Sequence, residues 1–302
     1  MASVGIQPRK GKLPLVLLGS KFLTLVLPAP DGCNLACAFC LIRQRREIGA
    51  NSLHPEDYVR FIREAAAASP IYALAIQGYE PLLPGTLPYT QSVLATGRML
   101  NIPTGLVTNG THLRSAMSLL KSAPPDTLAI SLDAAEPKPH DSLRGVTGAW
   151  EATTDGIACA VAEAAPRTEL AVNSVLIPSR RELLDGIPAL LAQLGIRRWI
   201  VTPLQKIGAD RPGGPLGNRQ RLYRDLLLLQ DAADREGIPL EVDDELGCLG
   251  FELACTWRPA LRRLNVRTIP RGVELVRLTP NGAWSAGHDI LRRMPSGVAE
   301  RP

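Results

Sequence analysis

Apolar residues in this chain gather into short runs, and between the runs apolar positions recur every three or four residues. The stretches 22–27, 71–76, 104–108, 127–132, 170–176 and 199–201 are short and rich in Val, Ile or Leu, the pattern of strands buried on both faces. The intervening stretches 55–68, 87–100, 112–121, 150–164, 181–194 and 222–233 are amphipathic and predict helices, with start signals at Asn51-Ser52 and at Ser179. Six strands alternating with helices over 22–236 predict repeated parallel βαβ units, which right-handed crossovers wind into a doubly wound sheet or an open barrel. In either architecture the residues that do chemistry gather at the carboxyl ends of the strands.

The alternation is of architecture alone, with no sequence repeat of fixed period. After Gly237 it gives way to short strands predicted at 238–242, 271–278 and 282–284, with a Pro280-Asn281-Gly282 turn between the last two. This reads as a small β-rich extension. The segment 208–218 holds four Gly and two Pro and is the expected linker or flexible loop. The division is therefore an N-terminal extension over 1–21, an α/β unit over 22–205, and a C-terminal helix with the β-rich extension over 206–302. The apolar run 13–27 is interrupted by Gly19, Ser20 and Lys21 and has no clean cleavage site after it. It is too short to span a bilayer, and its second half reads as a buried strand.

Composition narrows the class. The chain has 302 residues, 45% apolar and 21% charged, with 26 Gly and 26 Pro, which excludes disordered and fibrous classes and suffices for a large core. The net charge of +5 and an aromatic content of 4% supply no stacking platform for single-stranded nucleic acid, so neither a nucleic-acid nor a membrane partner is expected. Six cysteines are too few for a disulfide scaffold. Three of them lie within eight positions, which points to metal or redox chemistry in a reducing compartment, the cytoplasm. No H-E-x-x-H, P-loop or Gly-x-Ser-x-Gly segment occurs, so hydrolytic and phosphoryl-transfer machinery is not in view.

Just past the first predicted strand the chain reads Cys33-Asn34-Leu35-Ala36-Cys37-Ala38-Phe39-Cys40, a CX3CX2C spacing. Three thiolates on one tight loop can hold three irons of a 4Fe-4S cluster, whereas electron-transfer clusters use four cysteines. One iron is then left open to a small molecule, as in catalytic rather than structural metal sites.

With this spacing, and with Phe39 before the third cysteine, the sequence resembles the radical S-adenosylmethionine (SAM) superfamily. The resemblance runs over about 22–205. Gly78-Tyr79-Glu80-Pro81 is similar to the family's Gly-Gly-Glu-Pro segment, Thr108-Asn109-Gly110 and Ser131-Leu132-Asp133 end the next two strands, and Arg144-Gly145, Asn173 and the stretch 201–204 follow in order. The resemblance implies a partial (β/α)6 barrel carrying a 4Fe-4S cluster on Cys33, Cys37 and Cys40. It also implies SAM bound at the open iron, reductive cleavage to a 5′-deoxyadenosyl radical, and hydrogen abstraction from a peptide or small metabolite. In that scheme Gly78, Tyr79 and Glu80 meet the methionine amino end, Thr108 lies among the cofactor contacts, Ser131 and Arg144 meet the carboxylate, Asn173 meets the ribose, and 201–204 forms an apolar ledge under the adenine. Tyr79 stands where the family has its second glycine, so it needs a compatible backbone angle. The electron comes at the negative end of the roughly −700 to +450 mV range of Fe–S clusters, from a flavodoxin- or ferredoxin-like donor. The residue that quenches the product radical is not identified.

The segment 278–287 resembles the hairpin of the SPASM or twitch extension of peptide-modifying members, with Gly287 where a cluster cysteine is expected and His288 beside it. Two further cysteines, Cys248 and Cys255, cannot hold a four-iron cluster by themselves, so the extension reads as degenerate, and its cysteines as small buried hydrophobes. Cys159 reads as packing. Arg43, Arg45 and Arg46 read as a solvated helix face or as an anion-facing cluster. A non-catalytic alternative stands beside this reading: a metal-binding or redox-sensing protein, for example a Cys3His zinc site using His54.

Overall fold

The computed structural model of the chain describes residues 19–30, 32–40, 53–164, 166–178, 180–204, 219–244, 259–270, 273–286 and 290–293. The expected alternation is present. β1 (Ser20–Leu27), β2 (Ile71–Gly78), β3 (Thr104–Thr108), β4 (Thr127–Ser131), β5 (Glu169–Leu176) and β6 (Trp199–Pro203) are the six parallel strands the apolar runs predict. Every residue of β4 and β6 is buried, which requires cover on both faces and explains why these runs do not alternate. Between the strands lie α1 (Pro55–Ala68), α2 (Leu87–Met99), α3 (Leu113–Ser122), α4 (Pro137–Arg144), α5 (Ala149–Glu163), α6 (Ile187–Leu194) and α7 (Arg219–Arg235).

Past β6 the sheet continues. β7 (Leu240–Asp243) and β8 (Asn265–Arg267) add parallel strands beyond β6, while β9 (Val273–Leu278) crosses to the other side and pairs parallel with β1. β10 (Ala283–Ala286) and β11 (Ile290–Arg293) follow antiparallel, so the order is β11-β10-β9-β1-β2-β3-β4-β5-β6-β7-β8. Nine of the eleven strands are parallel, and they curl into an open half-barrel. The β9–β10 connection is the expected turn: Gly282 takes a φ of 76° and donates its N–H to the Thr279 carbonyl. The Pro280 carbonyl accepts the N–H of Leu53, just ahead of α1.

The helix expected over 181–194 is broken. A tight turn at Arg181–Leu184 is followed by Asp185-Gly186, and α6 begins only at Ile187; Pro188, which has no N–H, fits in the first turn of a helix and not in its middle. Helix α4 was not apparent from the pattern. His54 precedes α1 as its N-cap, with Pro55 in the first turn. Asn51, Ser52, Ser179, the arginines 43, 45 and 46, Cys248, Cys255, Gly287, His288 and most of the expected linker 208–218 lie outside the described residues.

The main core lies between sheet and helices and includes Leu23, Leu25 and Leu27 of β1, Leu74 and Ile76 of β2, and Trp199 and Val201 of β6. A smaller cluster of strand residues alone, Phe22, Ala73, Ala75 and Ala129, lies on the opposite, concave face, as strand alternation requires. Tyr58 of α1 crosses the main core to donate to the Val26 carbonyl at 2.7 Å. The nine parallel strands thus turn their carboxyl ends toward one rim.

Candidate active site

The cysteine loop sits on that rim and is tied down from three sides. Beside β1, the Cys33 thiol lies 3.6 Å from the Tyr79 carbonyl at the end of β2. Above β3, Asn34 gives its amide to Thr111 Oγ1 at 2.8 Å and accepts from Asn109 Nδ2 at 2.9 Å, while Asn109 Oδ1 takes both the N–H and the hydroxyl of Thr111. At α4, the carbonyls of Leu143 and Arg144 accept the N–H groups of Ala38 and Ala36. These carbonyls have no partner within their own helix, so the loop caps the helix while the helix holds the loop. Gly145 completes the seat. Its φ is 73°, and a Cβ there would stand 2.7 Å from the Ala36 carbonyl oxygen.

Cys33, Cys37 and Cys40 are each half-buried on this loop. Burial pushes the Cys33 thiol up to about 11 and raises Cys37 as well, against which the adjacent Arg144 pulls down. Arg144 NH1 is 3.7 Å from Cys37 Sγ, NH2 is 2.6 Å from Asp133 Oδ2, and the guanidinium lies 5.6 Å from the Phe39 ring centroid. Its side chain is 8% exposed and its Nε is buried without a hydrogen-bond partner. Burial opposes this charge, but Asp133 and Cys37 outweigh it and hold the pKa above its ordinary value. Asp133 is anchored in turn by the N–H of Val175 on its Oδ1 at 2.8 Å, and its own N–H donates to His140 Nδ1 at 3.2 Å.

Glu80 has turned inward. Its carboxylate is 1% exposed and accepts the Leu82 N–H at 3.0 Å, the Thr108 hydroxyl at 2.6 Å and the Asn109 N–H at 2.7 Å, stitching the end of β2 to that of β3. Burial raises its pKa and these three donors work against the rise. Thr108 is thereby committed to Glu80, and the part of the 78–80 segment left to face a ligand is backbone. The positive φ, 143°, falls on Gly78, where a Cβ would meet the Leu27 backbone and Val26 at 3.3 Å. Among the described residues Asn101 is the one non-glycine at positive φ, so Tyr79 fills the glycine position without left-handed strain.

Ser131 and Asn173 are register partners on β4 and β5 and share the concave face with Ala129. Asn173 Oδ1 accepts the Thr202 hydroxyl at 2.9 Å, and Asp243 and Arg267 continue this polar row across β7 and β8. Val201, expected in an apolar ledge, instead packs on the helix face, because Thr202 and not Val201 shares the parity of Asn173. Cys159 is buried in α5, its thiol 3.4 Å from Glu163. His54 gives its backbone N–H to Asp57 and is exposed. Among the described residues no three His, Cys, Asp or Glu side chains gather about a single ion.

The sequence offered Asp133 and Arg144 each within segments where related enzymes place cofactor contacts, but not their mutual ion pair, nor the Asn34–Asn109–Thr111 knot or the Asp243–Arg267 pair. A signal for the last exists in two consecutive aspartates ending an apolar run; the others join positions too far apart to pair by inspection. Three thiols with a buried cation at one of them is a donor set that fits an iron–sulfur cluster, whose thiolates and sulfides are anionic and accept N–H donors.

Comparison with known proteins bears on family and fold. Residues 27–183 match the model of the Radical SAM superfamily. The chain is similar to the AdoMet-dependent heme synthase of Methanosarcina barkeri, 34% identical over 128 residues, 42% of this chain and 35% of that protein. It is also similar to GTP 3′,8-cyclase of Geobacter sulfurreducens, 34% identical over 185 residues, 60% of this chain and 53% of that one. The chain thus spans about half or less of the length of these curated relatives. Among solved structures it resembles Streptococcus suis SuiB bound to precursor peptide SuiA, with a TM-score of 0.65 at 16% identity over 89% of this chain and 59% of that one, a likeness of fold. No described helix is long and apolar enough to cross a membrane.

Proposed function

We propose that this chain, which belongs to the radical SAM superfamily, is an enzyme acting on a peptide or small metabolite. When bound, the 4Fe-4S cluster and SAM supply a 5′-deoxyadenosyl radical by one-electron cleavage, and the radical abstracts hydrogen from the substrate. The chain's own residues hold, orient and exclude water. Cys33, Cys37 and Cys40 ligate three irons. The backbone of Gly78 and Tyr79 meets the methionine amino end, with Glu80 and Thr108 as the residues that position it. Ser131 and Arg144 face the carboxylate, and Asn173 faces the ribose. The polar row beyond Asn173, Thr202 and Asp243, faces the substrate. A flavodoxin- or ferredoxin-like protein donates the electron, and the cytoplasm, which keeps such thiols reduced, is the compartment.

The observation that carries this reading is the seating of the three-cysteine loop on α4 and on the ends of β2 and β3. Anaerobic reconstitution followed by dithionite and SAM is expected to release 5′-deoxyadenosine. Protein holding about four irons per chain that releases none would sink it, as would stoichiometric zinc without iron or sulfide. Cys37→Ala is expected to abolish cluster assembly yet keep the circular dichroism of the parent, because the loop lies outside the core.

A further inference from the structure

We propose that Arg144 sets the reduction potential of the cluster held by Cys33, Cys37 and Cys40, raising it through the N–H it aims at the Cys37 sulfur and through its buried positive charge. The proposal rests on the functional reading above and deepens it. NH1 of Arg144 lies 3.7 Å from Cys37 Sγ although 107 positions separate the two residues. The guanidinium cannot withdraw easily. Its NH2 is on Asp133 at 2.6 Å, its plane lies by the Phe39 ring at 5.6 Å, and its own carbonyl accepts the Ala36 N–H at 2.9 Å. Side chain and main chain of one residue therefore grip the same loop.

Reduction by one electron adds one negative charge beside this cation. Where solvent is excluded, a charge at this distance acts with little screening, and Fe–S potentials follow net charge, hydrogen bonds to sulfur and exposure. Arg144 thus favours the reduced state over the oxidised one. Asp133 offsets part of the charge but leaves the N–H on sulfur in place. A purely structural ion pair would leave the potential where it is.

The test is a dithionite titration of the reconstituted full chain followed by electron paramagnetic resonance, without SAM so that no carboxylate contact contributes. Arg144→Gln is expected to load iron as the parent does and to move the midpoint negative by about 59 mV or more, a tenfold shift of a one-electron equilibrium. Arg144→Lys, which keeps the charge without the planar fork, is expected to fall between the two. An unchanged midpoint in a loaded Arg144→Gln protein overturns the proposal. Failure of both variants to load also overturns it, by making Arg144 an assembly residue. A parent protein with no 4Fe-4S signal would instead remove the functional reading itself.

Discussion

His140 is wholly buried in α4 with Nδ1 occupied by the Asp133 N–H and Nε2 without a partner. Burial, and then the Arg144 charge, hold its imidazole down at about 4. A folded-state pKa below the unfolded value means that the unfolded chain binds more protons between the two, so stability falls as pH drops through that window. Between pH 7.5 and pH 5 urea unfolding is expected to show a loss of about 2 kcal/mol from this residue, and His140→Gln is expected to remove that component of the pH dependence. An equal slope in both proteins would place the acid sensitivity elsewhere. Glu80 makes a second single-residue case. Its carboxylate accepts three donors, and Glu80→Gln turns one acceptor into a donor that must face an N–H or a hydroxyl. The expected cost is about 1–3 kcal/mol, read as a lowered thermal midpoint of the protein without cluster.

At the scale of elements, the hinge of the site is the junction of α4 with the cysteine loop, and two glycines there separate backbone strain from contact. Gly145 and Gly148 both have positive φ, 73° and 82°, but a Cβ at Gly145 would meet the Ala36 carbonyl oxygen at 2.7 Å whereas nothing lies within 4 Å at Gly148. Gly148→Ala is expected to cost only the conformational strain, about 1 kcal/mol. Gly145→Ala is expected to cost more and, unlike the other, to speed iron loss to a chelator; equal rates would mean that the loop does not need this seat. Helix α4 also shows where sequence patterns stop. The parallel strands were legible because runs such as Ala73–Ile76 and Leu128–Ile130 are buried on both faces and have few other ways to be satisfied. Helix α4, Pro-Lys-Pro-His-Asp-Ser-Leu-Arg, buries mainly His140, Leu143 and Arg144, and a helix whose inner face is polar leaves no apolar stripe to read. The cysteine spacing was legible as chemistry. The residues that seat it were not, because Asn34 and Asn109, or Cys37 and Arg144, become neighbours only when distant strand ends converge.

For the whole molecule, the question is what makes the strands after Gly237 part of the same sheet. Their alternation predicts strands, but neither the direction nor the sheet they join can be read from periodicity, and β7 proves to be a seventh parallel strand. Beside the backbone ladder of β6 with β7 and the burial of Leu240 and Val242 in the main core stands an ionic tie: Arg198, 5% exposed and just ahead of β6, places Nε and NH2 on the two oxygens of Glu241 in β7 at 2.9 and 2.8 Å, and NH1 on Glu169 in β5 at 3.0 Å. Burying this pair costs solvation that only the paired geometry returns. Arg198→Met strands the Glu241 carboxylate and is expected to cost about 3–5 kcal/mol, whereas Arg198→Met combined with Glu241→Met leaves no unpaired buried charge, only the exposed Glu169 without its partner, and is expected to recover most of that loss. Chemical denaturation of the parent, of each single variant and of the double variant measures the coupling. A double variant as unstable as the single one would mean that β7 is held to β6 by packing and backbone bonds alone, with the ion pair incidental to the continuity of the sheet.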